Sequence, residues 1–238
     1  MSASALKTQL EDLLKARRLQ RDAPPLRGER RQTPLPSGLA ALDELLGGGW
    51  PRGQVSEAHG LASSGRTGLA LAAAAALTRR GALAAWVDPL DRFSPSSAAD
   101  TGADLARLLW LRGPRPGALK GAGALSRSLA ATDVLLGSSL FDLVVLDLAG
   151  VPRSDLNRLP HTTWHRLQRT VGPLPVVLLL LADAHLSHGP GGVSLVLSPE
   201  EGRWVGQGPG RLLTGLSTQA HWSRRLPGRR LTLQSFTG

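Results

Sequence analysis

One octapeptide limits the folds open to this chain more than any other feature. Residues 60–67 read Gly60-Leu61-Ala62-Ser63-Ser64-Gly65-Arg66-Thr67, one position away from the phosphate-binding loop G-x-x-x-x-G-K-[ST]. In such a loop, consecutive backbone N–H groups surround phosphate oxygens, and the following helix directs its positive amino terminus at them. Both glycines and the threonine are present, whereas an arginine stands at the lysine position.

The segments around the loop have the patterns that this motif requires. Residues 54–59 predict a strand before the loop, and the alanine-rich residues 66–80 predict a helix after it. Farther along, the apolar run 141–147 predicts a buried strand that ends in Asp147, from which a magnesium-holding carboxylate projects in nucleotide-binding proteins of this type. We therefore expect a degenerate nucleotide site with no tightly bound cofactor, for which ATP or ADP with Mg²⁺ is the candidate ligand. Its residues are Gly60, Ser63, Ser64, Gly65, Arg66, Thr67 and Asp147.

The chain is strongly basic. Lys and Arg number 28 against 18 Asp and Glu, a net charge of +10 in 238 residues, and only three of the basic residues are lysines. This charge favours polyanionic partners and fits a solubilising surface equally well. The absence of cysteine excludes disulfides, thiol catalysis and cysteine metal sites. The apolar stretches are shorter than the ~20 residues that span a bilayer, and the amino terminus does not resemble a signal peptide, so we expect a cytoplasmic, nucleoid-associated protein.

Composition divides the chain into three parts. Residues 1–21 predict an amphipathic helix, residues 22–36 a linker rich in Pro and Arg, and residues 37–238 the folded core. The helix presents one leucine face, formed by Leu6, Leu10, Leu13 and Leu14. These leucines need a surface to cover them, which is either the chain's own core or a neighbouring subunit or partner protein.

Residues 37–88 resemble the entry to the RecA recombinase core. The resemblance begins at Ser37-Gly38-Leu39-Ala40-Ala41-Leu42-Asp43-Glu44-Leu45-Leu46-Gly47-Gly48-Gly49-Trp50-Pro51-Arg52-Gly53 and continues ungapped through the loop to Trp86-Val87-Asp88. It implies an α/β fold with a RecA-like P-loop core, a mostly parallel β-sheet flanked by helices, and a carboxy-terminal antiparallel hairpin. We expect residues 37–238 to contain no counterpart of RecA's separate carboxy-terminal domain.

Measured against that resemblance, the chain lacks several groups that handle ATP. Arg66 replaces the lysine, and Leu90 stands where RecA-like ATPases carry the glutamate that activates water, with Asp88 and Asp91 beside it. Ala182 or Asp183 replaces the glutamine that senses the γ-phosphate. A guanidinium is planar and wider than an ammonium, and phosphoryl transfer depends on such positioning groups, so we expect little or no hydrolysis and assign no catalytic residue. The segments that match the DNA-channel loops of RecA, 148–158 and 186–192, are short.

Further elements follow from apolar runs and turn residues. We expect strands at 83–88, 108–111, 176–181 and 194–197, and helices at 38–46, 98–108 and 124–136. Pro227-Gly228 predicts the turn of an antiparallel hairpin whose tip carries Arg224, Arg225, Arg229 and Arg230. These arginines contact DNA phosphates, or form a solvated edge that opposes aggregation. The histidine pairs 161/165 and 185/188 lack a third ligand in the sequence, so we assign no metal site.

Among RecA-like proteins with a shortened chain and a degraded P-loop, the sequence is most similar to the ImuA family. That resemblance implies a non-catalytic accessory protein of the bacterial SOS response, which supports translesion synthesis by docking to ImuB and its associated polymerase, and to RecA. Three alternatives stay open: a RecA-paralogue ATPase acting on DNA, a SulA-like cell-division inhibitor, and a plain DNA-binding protein. Oligomeric state does not follow from the sequence.

Overall fold

The computed structural model describes Thr8, Asp12 and residues 33–113, 122–160, 162–186, 192–222 and 230–236. Within these ranges the helices are α1 (Ala40–Leu46), α2 (Arg66–Thr78), α3 (Pro95–Asp100), α4 (Ala122–Gly137), α5 (Arg153–Leu156) and α6 (Thr162–Val171). The strands are β1 (Gln54–His59), β2 (Ala84–Asp88), β3 (Leu108–Arg112), β4 (Leu143–Asp147), β5 (Val177–Ala182), β6 (Ser194–Val205), β7 (Leu212–Trp222) and β8 (Arg230–Phe236). Short 3₁₀ turns lie at Leu105–Arg107 and Gly208–Gly210. None of the helices in the described ranges has the length and apolarity to cross a bilayer.

The strands form one sheet in the order β3-β2-β4-β5-β1-β6-β7-β8. Pairing is parallel from β3 through β6, and β6-β7-β8 pair antiparallel. The predicted fold class, a mostly parallel sheet with flanking helices and an antiparallel hairpin at its carboxy-terminal end, is confirmed. Since β1 lies between β5 and β6, with β4 beyond β5, the loop after β1 meets the ends of those neighbours at one edge.

Helices cover both faces of the sheet, which is why its central strands are apolar on both sides. One face packs against α1 and α2 in a cluster that includes Leu42, Ala74 and Trp86. The other packs against α4 and α6 in a cluster that includes Leu129 and Leu167. Along β4 the residues alternate between the two clusters, as the two-residue period of a strand requires.

Local boundaries differ from the sequence prediction in two places. The predicted helix at 98–108 is wrong: α3 begins earlier, where the Ser94 hydroxyl accepts from the Ser97 N–H and Pro95 occupies the first turn, and the chain turns at Gly102 (φ 87°). Strand β6 runs on to Val205, well past the predicted end at residue 197, because it continues to pair with β7 beyond the point where its pairing with β1 ends.

The end of the predicted linker takes part in the core. Leu35 is 1 % exposed and its backbone pairs with that of Trp50 through two hydrogen bonds, Leu35 N–H to Trp50 O at 2.8 Å and the reverse at 2.7 Å. Packing therefore already includes Leu35, two residues before the predicted start of the core.

Candidate functional site

The phosphate-binding loop motif lies at the carboxyl edge of the sheet, between β1 and α2. Parallel α/β sheets bind ligands in the crevice beyond the carboxyl ends of their strands. Here the ends of β1, β5 and β4 adjoin, so that the loop, Asp183 and Asp147 lie along one stretch of that edge. The sequence-predicted nucleotide residues are therefore brought to a common edge.

The backbone of the loop needs both of its glycines. At Gly60, an added Cβ would lie 2.1 Å from the carbonyl oxygen of Leu197. Gly65 has a φ of 85°, and an added Cβ would lie 2.8 Å from the Thr218 hydroxyl. Ser63 is also left-handed (φ 61°). Left-handed residues within an otherwise right-handed backbone direct successive N–H groups to one side. The loop therefore keeps the backbone shape of an anion cradle.

Arg66, at the lysine position, bonds to the loop itself. Its residue exposure is 9 %, and Nη1 donates to the carbonyl oxygen of Gly60, to Leu61 O at 3.2 Å and to Ala182 O at 3.3 Å. Its Nη2 lies 2.6 Å from an Asp183 carboxylate oxygen. The guanidinium is therefore held by three carbonyls and one carboxylate at the place where a P-loop lysine would meet phosphate.

Asp183 completes this arrangement from the end of β5. Its second carboxylate oxygen accepts from the Gly150 N–H at 3.1 Å, while the first holds Arg66. Asp183 is one of the two positions, with Ala182, at which the RecA resemblance places the γ-phosphate-sensing glutamine. A carboxylate there repels a triphosphate and neutralises the one cation that faces the loop from its own motif.

Asp147 is the buried acid at the end of β4. It is 8 % exposed and accepts from the Ala149 N–H at 3.1 Å. Burial raises the pKa of Asp147 to about 6, and the neighbouring Asp88 adds to the rise, whereas the Ala149 N–H, Arg66 and the Trp86 indole act against it. A carboxyl with this pKa is partly protonated near pH 6, which weakens it as a magnesium ligand in mildly acidic conditions.

The carboxylates beside Leu90 already have structural roles. Asp88 is 1 % exposed and accepts from the Phe93 N–H at 2.7 Å and from the Trp110 indole N–H at 3.2 Å. Asp91 forms a two-point ion pair with Arg112 at 2.8 and 2.7 Å, and that hydrogen bonding lowers the pKa of Asp91. Leu90 packs against the α4/α6 cluster. Both acids thus brace the β2–α3 segment.

Other predicted residues fall partly outside the described ranges. Thr67 is exposed in the first turn of α2. The antiparallel pairing of β7 with β8 agrees with the predicted hairpin, but Arg224, Arg225 and Arg229 lie outside the described residues, and of Arg230 only the backbone, in β8, is described. The predicted docking leucines also lie outside: Leu6, Leu10, Leu13 and Leu14.

The sequence analysis missed a second polar cluster at this edge. Glu57 and His59 of β1 meet His185, which follows β5. Burial lowers the pKa of His59, Glu57 acts to raise it, and His185 lowers it further. Because His59 and His185 are 126 positions apart in the sequence, no local spacing signals this cluster; only the pairing of β1 with β5 brings the two together.

Comparison with known proteins gives a consistent result. The family model described as the RecA N-terminal domain matches residues 27–160. The chain is 38 % identical over 135 residues to a protein named RecA from Lactobacillus delbrueckii subsp. bulgaricus, covering 54 % of this chain and 38 % of that protein. It is 40 % identical over 124 residues to RecA of Prochlorococcus marinus, covering 51 % and 30 %. The match spans about a third of the length of these curated relatives.

Proposed function

This chain belongs to the RecA N-terminal domain family, and on that basis we propose that it is a non-catalytic RecA-like accessory protein of the bacterial DNA-damage response. Its role is that of the ImuA family: it supports translesion synthesis by docking to ImuB and the associated polymerase, and to RecA, near the nucleoid. The fold serves as a scaffold for these contacts. DNA, if contacted, is met by the arginines of the β7–β8 hairpin.

The Arg66–Asp183 pair is the observation that carries this proposal. A phosphate site requires excess positive charge directed at the ligand. In this cradle one guanidinium faces two carboxylates, Asp183 at 2.6 Å and the buried Asp147. A triphosphate would have to displace Asp183 from Arg66 and approach uncompensated negative charge.

The surroundings of Leu90 support the same conclusion. Activation of water needs a carboxylate whose oxygens face the ligand. Asp88 and Asp91 direct theirs at Phe93, Trp110 and Arg112 instead. A protein that retains the fold and gives these groups structural duties fits a docking role better than a hydrolytic one.

Calorimetry with MgATP tests the nucleotide half of the proposal. The full-length protein should give no binding heat at millimolar MgATP, and no phosphate release with or without single-stranded DNA. DNA-stimulated phosphate release that Asp147→Ala abolishes would instead make the chain a RecA-paralogue ATPase.

Affinity capture tests the docking half. Full-length protein should capture ImuB from the same genome, and deletion of residues 1–21 should reduce that capture if the leucine face is the contact. Deletion without loss of any captured partner would remove the amino-terminal segment from the proposal. Failure of the full-length protein to bind ImuB, its polymerase or RecA would overturn the accessory role itself.

A further inference from the structure

We propose that Glu57, His59 and His185 form a zinc site with an open coordination position. The three side chains offer one carboxylate oxygen and two imidazole nitrogens, and these ligand atoms all lie within 4.8 Å of one another. Two histidines and one glutamate are an established ligand set for zinc, in which water or a substrate takes the fourth position.

Strand β1 carries two of the three ligands, and the segment after β5 carries the third. Glu57 and His59 are two residues apart in β1, so their side chains lie on the same face of the sheet. His185 follows β5, which pairs with β1 on one side, and Ser194 of β6 lies directly opposite Glu57 on the other. Regular backbone, which holds a metal site more accurately than a loop does, therefore carries two of the three ligands and Ser194, while His185 lies three residues beyond the end of β5.

Hydrogen bonds orient the glutamate. Ser194 Oγ donates to Glu57 Oε1 at 2.5 Å, and the Leu186 N–H donates to Oε2 at 3.2 Å. Nδ1 of His185 contacts Oε1, and Nε2 of His59 lies 3.9 Å from that same oxygen. Outer partners of this kind hold the ligands of metal sites in their binding orientation.

Geometry and burial both fit a bound cation. Ligands 2.0–2.2 Å from a tetrahedral zinc lie about 3.3 Å from each other, so binding requires His59 to move towards Glu57 Oε1 and His185 to move away from it. The Glu57 side chain is 0 % exposed and that of His59 12 %, whereas His185 is 35 % exposed. A dication there balances a fully buried carboxylate, and His185 is the most exposed of the three ligands.

Zinc and cobalt titrations of the untagged full-length protein, after treatment with EDTA, test this site. We expect one Zn²⁺ per chain by calorimetry, a rise in the thermal midpoint, and the intense visible absorption of four-coordinate Co²⁺. A cobalt spectrum of the weak octahedral type, or no stoichiometric binding, would overturn the proposal.

Variants distinguish this cluster from other histidines. His59→Gln and His185→Gln should each weaken zinc binding beyond the roughly 10–100-fold that loss of an outer partner costs, and Ser194→Ala should cost about that 10–100-fold. His165→Gln, an exposed histidine of α6, and His221→Gln of β7 are the matched controls and should bind as the parent does. Binding that survives His185→Gln but is lost with His165→Gln would assign the metal to His165 of α6 and overturn the proposal. Far-ultraviolet circular dichroism confirms folding, and Ser194→Ala keeps the test decisive if a histidine variant does not fold.

Discussion

Arg66 places the positive charge of the phosphate-binding loop in contacts within the protein. The guanidinium is bound to loop carbonyls and to Asp183 at 2.6 Å, so both its hydrogen bonds and its charge are satisfied within the protein. We predict that the double variant Arg66→Lys, Asp183→Gln binds MgATP measurably, because an ammonium fits between phosphates and the opposing carboxylate is gone. Calorimetry should show binding heat for the double variant at millimolar MgATP, where the parent gives none.

The single variant Asp183→Gln separates the two effects. Asp183→Gln alone removes the repulsion but keeps the wide guanidinium, so its gain should be smaller than that of the double variant. Hydrolysis should stay absent in all three proteins, because Leu90 supplies no base. Equal MgATP binding by the parent and the double variant would contradict the role given to this ion pair.

Asp147 makes the stability of the protein depend on pH. Its pKa is about 6 in the folded state and 3.8 for an ordinary aspartate, so between these values the native state binds more protons than the unfolded one, and the free energy of unfolding falls as pH rises. The raised pKa corresponds to a destabilisation of the native state by about 3 kcal/mol at most. This destabilisation is present in full above pH 6, where the buried carboxyl is ionised, and is absent below pH 4. Asp147→Asn should therefore stabilise the protein by about 1–3 kcal/mol at pH 7.5 and by much less at pH 4.

Urea unfolding at the two pH values measures this difference. Asp100→Asn, at an exposed carboxylate of α3, is the control and should change the free energy of unfolding by less than about 0.5 kcal/mol at both. An Asp147→Asn effect of the same size at pH 4 and pH 7.5 would mean that the carboxyl does not titrate in this range.

At this scale, sequence reasoning succeeded where chemistry is local. The loop glycines, Arg66 and Asp147 belong to short motifs, and the structure brings them to one edge. The pairing of Arg66 with Asp183 and the Glu57–His185 contact did not follow from sequence, because each joins residues more than 100 positions apart whose proximity depends on strand order.

At the scale of elements, the junction between the loop and α2 packs closely against β7. Gly65 has a φ of 85°, and an added Cβ would lie 2.8 Å from the Thr218 hydroxyl. We predict that Gly65→Ala destabilises the fold by about 2–3 kcal/mol, of which about 1–2 kcal/mol is the left-handed backbone and the rest is the clash. Thr218→Ala, which removes a buried hydroxyl that has no hydrogen-bond partner among the described residues, should return about 1 kcal/mol of that loss.

Gly47 supplies the matched control for this cycle. It ends α1 with a φ of 74°, and nothing lies within 4 Å of its added Cβ. Gly47→Ala should therefore lower the free energy of unfolding only by the cost of placing alanine in left-handed backbone. That cost should be the same with or without Thr218→Ala. Thermal or urea unfolding of the six proteins reads the coupling directly, and additive costs for Gly65 and Thr218 would exclude contact between them.

Helices and strands were predictable where their burial produces a clear pattern of apolar residues in the sequence. The central strands follow from apolar runs and agree within one or two residues, because both faces of those strands are covered. The carboxy-terminal half of β6 did not follow, since residues 198–205 are exposed, pair with β7 on one side only, and carry no periodic apolar signal. Helix α3 was misplaced because its short buried face contributes only Ala98.

At the scale of the whole molecule, the two edges of the sheet have different roles: the carboxyl edge carries the candidate sites, and the amino edge stabilises the fold. The carboxyl edge holds the loop, its charged groups and the Glu57 cluster, whereas the amino edge is held by Arg52. Arg52 Nη1 donates to Asp142 at 3.1 Å and to Pro175 O at 2.7 Å, and Nε donates to Thr33 O at 3.2 Å. This one side chain joins the entries to β1, β4 and β5 and the start of the packed core. A lone arginine in a Trp-Pro-Arg-Gly turn does not indicate such a long-range role in the sequence.

The amino edge gives a prediction on the stability of the fold as a whole. Arg52 and Asp142 are 9 % and 1 % exposed, so Arg52→Met takes a cation from a buried carboxylate and should cost about 3–5 kcal/mol in urea unfolding. Arg158 and Asp155 pair at the same 3.1 Å, but Arg158 is 69 % exposed, so Arg158→Met should cost less than about 1 kcal/mol. Adding Asp142→Asn to Arg52→Met removes the buried charge and should recover at least about 1 kcal/mol. Equal costs for the two arginines would show that burial does not set the strength of these pairs, and that the amino edge is held by apolar packing alone.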